Sequence, residues 1–203
     1  MSKPLIYRAS NDKEALRQGE ILTGLIQVKP VASESSPNLA QIQYLAQIQF
    51  KPIVHPYAII VTQNCDLDWD YSARKNRDKS NKLLNSILFC QVDTAQEIRS
   101  NKTVQLNSAD WNLVKSNRYQ QYHFLKKIPL ERESSQEGIP ELTVDFKKIF
   151  AIDADFLYHQ INNNFAKRRA VLESPYLEDF SHRYHDFHGR VALPAQHESE
   201  KGV

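Results

Sequence analysis

Apolar and polar residues alternate with a period of two in the first two-thirds of the chain and recur at helical spacing in the last third. From Gln41 to Phe50 the apolar residues Ile42, Tyr44, Ala46, Ile48 and Phe50 share one face. Gln41, Gln43, Gln47 and Gln49 share the other, broken only by Leu45, and this predicts a half-buried strand. Tyr57 to Thr62 and Ser86 to Val92 are continuous apolar runs, which predict strands buried on both sides. Gln18 to Ile26 reads as a turn entering a strand, and Tyr122–Leu125 and Leu142–Phe146 are shorter candidates.

Helices follow. Asp153 is placed to cap a helix from Ala154 to about Asn162. Ser174-Pro175 is a helix start, and Leu177, Phe180, Tyr184, Phe187 and Val191 then recur at helical spacing until Gly189 signals a stop. That stripe is a docking face, either onto the rest of the chain or onto a partner. Polar, turn-rich stretches at 31–38 and 131–138 punctuate the sequence, and the tail 195–203 is expected to be disordered. Many short strands with late helices predict a mainly β fold with some α. The expectation is a small barrel over 1–165, carrying a basic loop at 71–82, and a C-terminal helical extension over 166–194.

Composition narrows the function. Of 203 residues, 41% are hydrophobic and 25% charged, enough for a core. Twenty-six Lys and Arg against 24 Asp and Glu give a net charge of +2, so any nucleic-acid site must be a local patch. Two cysteines exclude a disulfide scaffold and fit a reducing cytoplasm. No apolar stretch suits a membrane span or a signal peptide, so a cytoplasmic chain is expected. Only five glycines, with neither GxxxxGK[ST] nor GxGxxG, exclude P-loop and Rossmann nucleotide sites, and no cofactor is expected.

The candidate chemistry lies in three places. Asn64-Cys65-Asp66-Leu67-Asp68-Trp69-Asp70 directly follows the most apolar strand. Cys65 there is a nucleophile, part of a binding-site rim or the small filler of a turn, and Asp66 and Asp68 oppose its ionisation. In extended form Asp66, Asp68 and Asp70 point one way, as a Mg²⁺ or Ca²⁺ site or as a solvated acidic loop. The next stretch, Tyr71 to Lys82, holds Arg74, Lys75, Arg77, Lys79 and Lys82. Those cations suit a phosphate backbone, with Trp69 or Tyr71 stacking a base; the alternative is a flexible solvated insertion. Lys167-Arg168-Arg169 is a second basic cluster. His182, His185 and His188 fan across the last helix too widely for one metal ion, so no metal site is assigned.

The order of pieces resembles the PemK/MazF-like toxins. The carrying residues are Arg17-Gln18-Gly19-Glu20-Ile21-Leu22, His55-Pro56-Tyr57-Ala58-Ile59-Ile60-Val61, Ile87-Leu88-Phe89-Cys90 with Thr94 beyond, and Val144 to Asp153. The resemblance implies an SH3-like barrel, a homodimer, and a metal-independent endoribonuclease of a toxin–antitoxin or antiviral defence system. It places His55 where the family has a catalytic Arg and Thr94 near the family's catalytic Thr. His55 lacks the fixed bidentate fork of an arginine, and Thr94-Ala95-Gln96-Glu97 is equally a capping box. The expectation is therefore a degenerate module that recognises RNA or a protein partner. RNA would be held by Arg17, Trp69, Tyr71, Arg74, Lys75, Arg77 and Lys79. The alternatives are an active nuclease using His55 and Thr94, a hydrolase using Cys65, and a scaffold docking through its last helix. The Val61-Thr62-Gln63-Asn64-Cys65-Asp66-Leu67 run also resembles an uncharacterised bacterial group with no established activity.

Overall fold

The computed structural model describes residues 4–31, 49–77 and 81–190. Seven strands are present: β1 (Tyr7–Ala9), β2 (Glu20–Val31), β3 (Gln49–Ile60), β4 (Ser86–Thr94), β5 (Tyr122–Leu125), β6 (Leu142–Asp153) and β7 (Lys167–Leu172). They form one sheet in the order β1-β7-β2-β3-β4-β6-β5, with every neighbouring pair antiparallel. Among the described residues there are five α-helices: α1 (Asn64–Lys75), α2 (Ala95–Ser100), α3 (Ser108–Lys115), α4 (Ala154–Asn162) and α5 (Tyr176–His188).

The apolar run at the end of β3 is buried on both faces because helices cover both sides of the sheet. Ile59 and Val61 enter a core with Cys90, Val144, Phe146 and the α5 residues Phe180 and Phe187. Ala58 and Ile60 point the other way, into a core with Phe89, Phe150, Leu67 of α1 and Leu157 of α4. A third cluster joins Ala95 and Ile98 of α2, Trp111 and Val114 of α3, and Tyr122 and Phe124 of β5. Each fully buried Phe or Leu contributes roughly 1.5–3 kcal/mol against exposure.

The sheet does not close into a barrel. β1 and β5 are its edges and share no ladder. The sheet nonetheless curls until the edges approach, and the Tyr7 hydroxyl donates to the Lys126 carbonyl across the seam at 3.0 Å. α5 packs along this core through Phe180 and Phe187. Near its start, Leu177 packs against Gly19, whose φ of +76° and lack of a side chain let the two meet. Further along, Arg183 donates to the carbonyls of Tyr119 and Tyr122 beside β5.

Several expectations are corrected. Residues 166–194 are not an appended helical extension, because β7 lies inside the sheet between β1 and β2. The Asn64–Asp70 turn and much of the basic loop are one helix, α1. Its inward face of Leu67, Asp70, Ala73 and Arg74 has helical spacing, but half of it is charged, which hid the period. On that helix Asp66 and Asp70, four residues apart, lie on one side and Asp68 points away from both. Phe50 and Leu88 were expected inside and are exposed. The run from Gln41 to Ile48, Lys79, Val191 and the tail 195–203 lie outside the described residues. The helix at Ala154–Asn162 starts on the Asp153 cap, with Phe156 N–H donating to the carboxylate. α5 begins one residue later than Pro175 and ends at Gly189.

Candidate functional site

His55 and Thr94 come to the same end of the β3–β4 ladder. The register Tyr57↔Val92, continued by two residues, sets Thr94 across from His55. The ladder stops short of them, at Pro56, which has no N–H to give. Both are engaged within the fold. His55 is only 6% exposed. Its ring lies flat on Phe150 at 3.9 Å and its Nε2 meets Gln27 Oε1 at 3.1 Å. Burial and then Lys29 lower its pKa, against a smaller opposite effect of Asp93, so the imidazole is neutral near pH 7. The Thr94 hydroxyl donates to Glu97 Oε2 at 2.6 Å and accepts from Glu97 N–H, the closed capping box that opens α2.

Cys65 does not join them. It sits in the first turn of α1, beyond the far end of β3, and His55 to Ile60 alone spans about 17 Å of strand. Its thiol is exposed, and its polar neighbours are Gln63 and Asp66, at 3.7 and 3.8 Å. Those contacts include no histidine or cation to act as base.

α1 does not present a cationic face either. Arg17 pairs with Asp68 at 2.8 Å. Arg74 pairs with Asp155 and with the fully buried Asp70, and stacks on Tyr158. Asp70 also accepts from Leu84 N–H and the Tyr158 hydroxyl. Arg74 thus fastens α1 to α4. The Tyr71 hydroxyl donates to the Lys13 carbonyl, whereas Trp69, Lys75 and Arg77 face solvent. The second basic cluster is internal. Arg168 pairs with buried Glu20 at 2.6 Å, and Arg169 with buried Glu133 at 2.7 Å. The turn-rich stretch at 131–138 is built around that Glu133, which accepts backbone N–H bonds from Ser135, Glu137 and Gly138. Burial opposes its charge, but Arg169 and those amides outweigh it and hold its pKa at about 2.

Among the described residues the apolar stripe of α5 packs internally, with Phe180 and Phe187 in the core and Leu177 and Tyr184 against it. A contiguous exposed apolar surface lies instead on an arm formed by the outer halves of β2 and β3. There β2 has lost β7 and β3 has lost β4, while the two still pair with each other out to Val31↔Gln49. Ile26, Val28 and Pro30 sit opposite Val54, Pro52 and Phe50. Cross-strand partners share a face, so six apolar side chains form one surface. Phe50 is 66% exposed and Val54 61%. Gln160 of α4 shows which way the backbone points, because its amide accepts from Ile26 N–H at 2.7 Å and donates to Ile26 C=O at 3.0 Å. Ile26, and by alternation Val28 and Pro30, therefore turn their peptide groups outward, as do Phe50, Pro52 and Val54. Pro30 and Pro52 remove donors from those outer edges, which leaves the face rather than the edge as the surface for contact. The Ile26-Gln27-Val28 alternation was the signal in the sequence. It passed unused because the apolar side of a strand ordinarily faces a core.

Among the described residues, no three His, Cys, Asp or Glu side chains gather as a metal site, and no helix is long and apolar enough to cross a membrane. No family model, curated protein or solved structure matches the chain.

Proposed function

We propose that the chain is a non-catalytic recognition module that holds a protein partner on the apolar face of its β2–β3 arm. The observation that carries this reading is the six-residue surface of Ile26, Val28, Pro30, Phe50, Pro52 and Val54. A contiguous exposed apolar surface marks an interaction site. The sealed state of His55 and the engaged hydroxyl of Thr94 support recognition over cleavage. Kinship with PemK/MazF-like toxins, as a degenerate and incompletely closed SH3-like barrel, is supported by three features. These are the antiparallel curl, the shared end of His55 and Thr94, and the passage of β6 directly into α4. On that kinship the partner belongs to the same toxin or antiviral defence system. Two unpaired thiols, Cys65 and Cys90, support a reducing, cytoplasmic setting.

The test is co-expression with the products of the neighbouring reading frames, followed by purification of the complex. Phe50→Asp and Val54→Asp are expected to abolish a stable complex while leaving the melting temperature unchanged. A complex indifferent to both substitutions defeats the reading. So does cleavage of a mixed RNA substrate that disappears in a folded His55→Ala variant.

A second reading, RNA recognition, is favoured by Lys29 lying directly opposite Lys51 on the arm's other face. Like charges so placed repel and are relieved by an anion. A binding constant that falls steeply with salt, and that is weaker with a shallower salt slope in Lys51→Gln, would support it.

A further inference from the structure

Arg118, Arg183 and Arg190 converge on one cleft of about 200 Å³ between the loop before β5 and the second half of α5. The fold places each deliberately. Asn117, at a φ of +56°, turns that loop back, and its side-chain amide pairs with both the N–H and the C=O of Phe124. This pins Arg118 beside α5. Arg183 donates to His123 Nδ1 at 2.8 Å and to the carbonyls of Tyr119 and Tyr122. His123 is buried, and burial with the nearby Arg183 lowers its pKa to about 3, so it receives that bond as a neutral ring. Arg190 lies over the Phe187 ring at 3.8 Å, donates to the Phe187 carbonyl and reaches Gln120 Oε1 at 3.2 Å.

Every partner of these guanidiniums is therefore neutral. Among the described residues no carboxylate lies within ion-pair distance of any of the three, whereas Arg8, Arg17, Arg74, Arg168 and Arg169 all have one. Asp179, one turn earlier on α5, is close enough to favour the charge on Arg183 but forms no ion pair with it. The one acid lining the cleft, Asp186, is 2.9 Å from His182. Three guanidiniums against one carboxylate leave two positive charges facing a small, half-open space.

We propose that this cleft binds a terminal phosphate monoester. The charge decides between oxyanions: a carboxylate brings one negative charge, a phosphate monoester about 1.5 to 2. The volume decides the size. At ~30 Å³ per water it holds roughly six waters, below the ~300 Å³ at which whole-ligand pockets begin. A phosphoryl group fits inside, and whatever carries it stays outside. Planar guanidinium forks suit phosphate oxygens, and those of Arg183 and Arg190 are already oriented by their neutral acceptors, so little freedom is lost on binding.

The test uses the full chain and calorimetric titration at low salt with three probes. These are inorganic phosphate, a short oligoribonucleotide with a 5′-phosphate, and the same oligoribonucleotide with a 5′-hydroxyl. The double variant Arg118→Gln, Arg190→Gln serves as control, since both side chains are exposed and its melting temperature reports folding. Phosphate or the 5′-phosphorylated strand should bind, and the double variant should lose at least about tenfold in affinity. A phosphorylated strand that binds better than free phosphate identifies a nucleic-acid end as the source. Equal binding of the two, with mutual competition, identifies a small phosphate. The proposal is overturned if neither binds at millimolar concentration, if the 5′-hydroxyl strand binds as well as the phosphorylated one, or if the folded double variant binds like the unaltered chain. Failure here leaves the arm as a docking face untouched, because none of these residues lies on it.

Discussion

The arginines of β7 and the arginines around the end of α5 are the same residue put to opposite uses. Arg168 and Arg169 are buried and each is matched to a buried glutamate. Arg183 and Arg190 are held by neutral atoms at an open cleft that Arg118 also lines. A guanidinium closed off with its own carboxylate is part of the framework, while one oriented without a counter-charge has capacity left for a ligand. Position in the sequence does not distinguish them: Lys167-Arg168-Arg169 reads as a surface patch and is not one, and the three scattered arginines read as nothing and meet in space.

The largest effect expected from this contrast is at Glu20. Glu20→Ala leaves Arg168 buried without a counter-charge and should cost about 3–5 kcal/mol, read as a shift in the denaturant midpoint. Replacing both members, Glu20→Leu with Arg168→Leu, should recover most of that loss. If the single substitution is as mild as the double, the pair is not an internal fastening.

Acid should act next. Glu133 has its folded pKa held at about 2, against an ordinary 4.5. Its contribution is complete above about pH 4.5 and is lost as pH falls from there through about 2, on the order of 3 kcal/mol in all. His123 works over a different window. The unfolded chain takes up a proton near 6.5, while the folded ring resists until about 3, so the unfolded state gains protons first and stability falls as pH drops below 6.5. Denaturant midpoints measured from pH 7 to pH 3 should therefore decline early through His123 and later through Glu133. Glu133→Gln should flatten only the later part. A midpoint that stays level down to pH 4 would remove His123 as the neutral acceptor that aims Arg183.

The smallest effect is expected at the open arginines. Arg118→Gln and Arg190→Gln should change stability by no more than about 0.5 kcal/mol each. A loss comparable to that at Glu20 would dissolve the distinction between the two regions.

The antiparallel sheet, the double burial of Ala58 to Val61 and the helices at Asp153 and before Gly189 were legible from period, cap and stop signals, since each is a local rule. The Thr94 capping box was legible too. α1 was not, because its inward face uses Asp70 and Arg74, a charged pair that looks solvated until Tyr158 and Leu84 N–H close over it. Nor was the place of β7. A strand near the C-terminus that inserts between β1 and β2 is a long-range event, decided by Glu20 and Glu133 meeting Arg168 and Arg169 across distant sequence. The three-arginine cleft depends on how α5 packs along the core, which no spacing along the chain encodes.

The amide of Gln160 on Ile26 carries a further consequence. β2 outlives its β7 partner by several residues, and the outward peptide group of Ile26, three residues past the break, is occupied by a side chain that imitates a neighbouring backbone. Another molecule approaching along that margin finds that rung already taken, with Pro30 a little further out offering no hydrogen to bond. Stacking of copies into fibres is checked where it would start, and the long ribbon stays single while its flat side remains open.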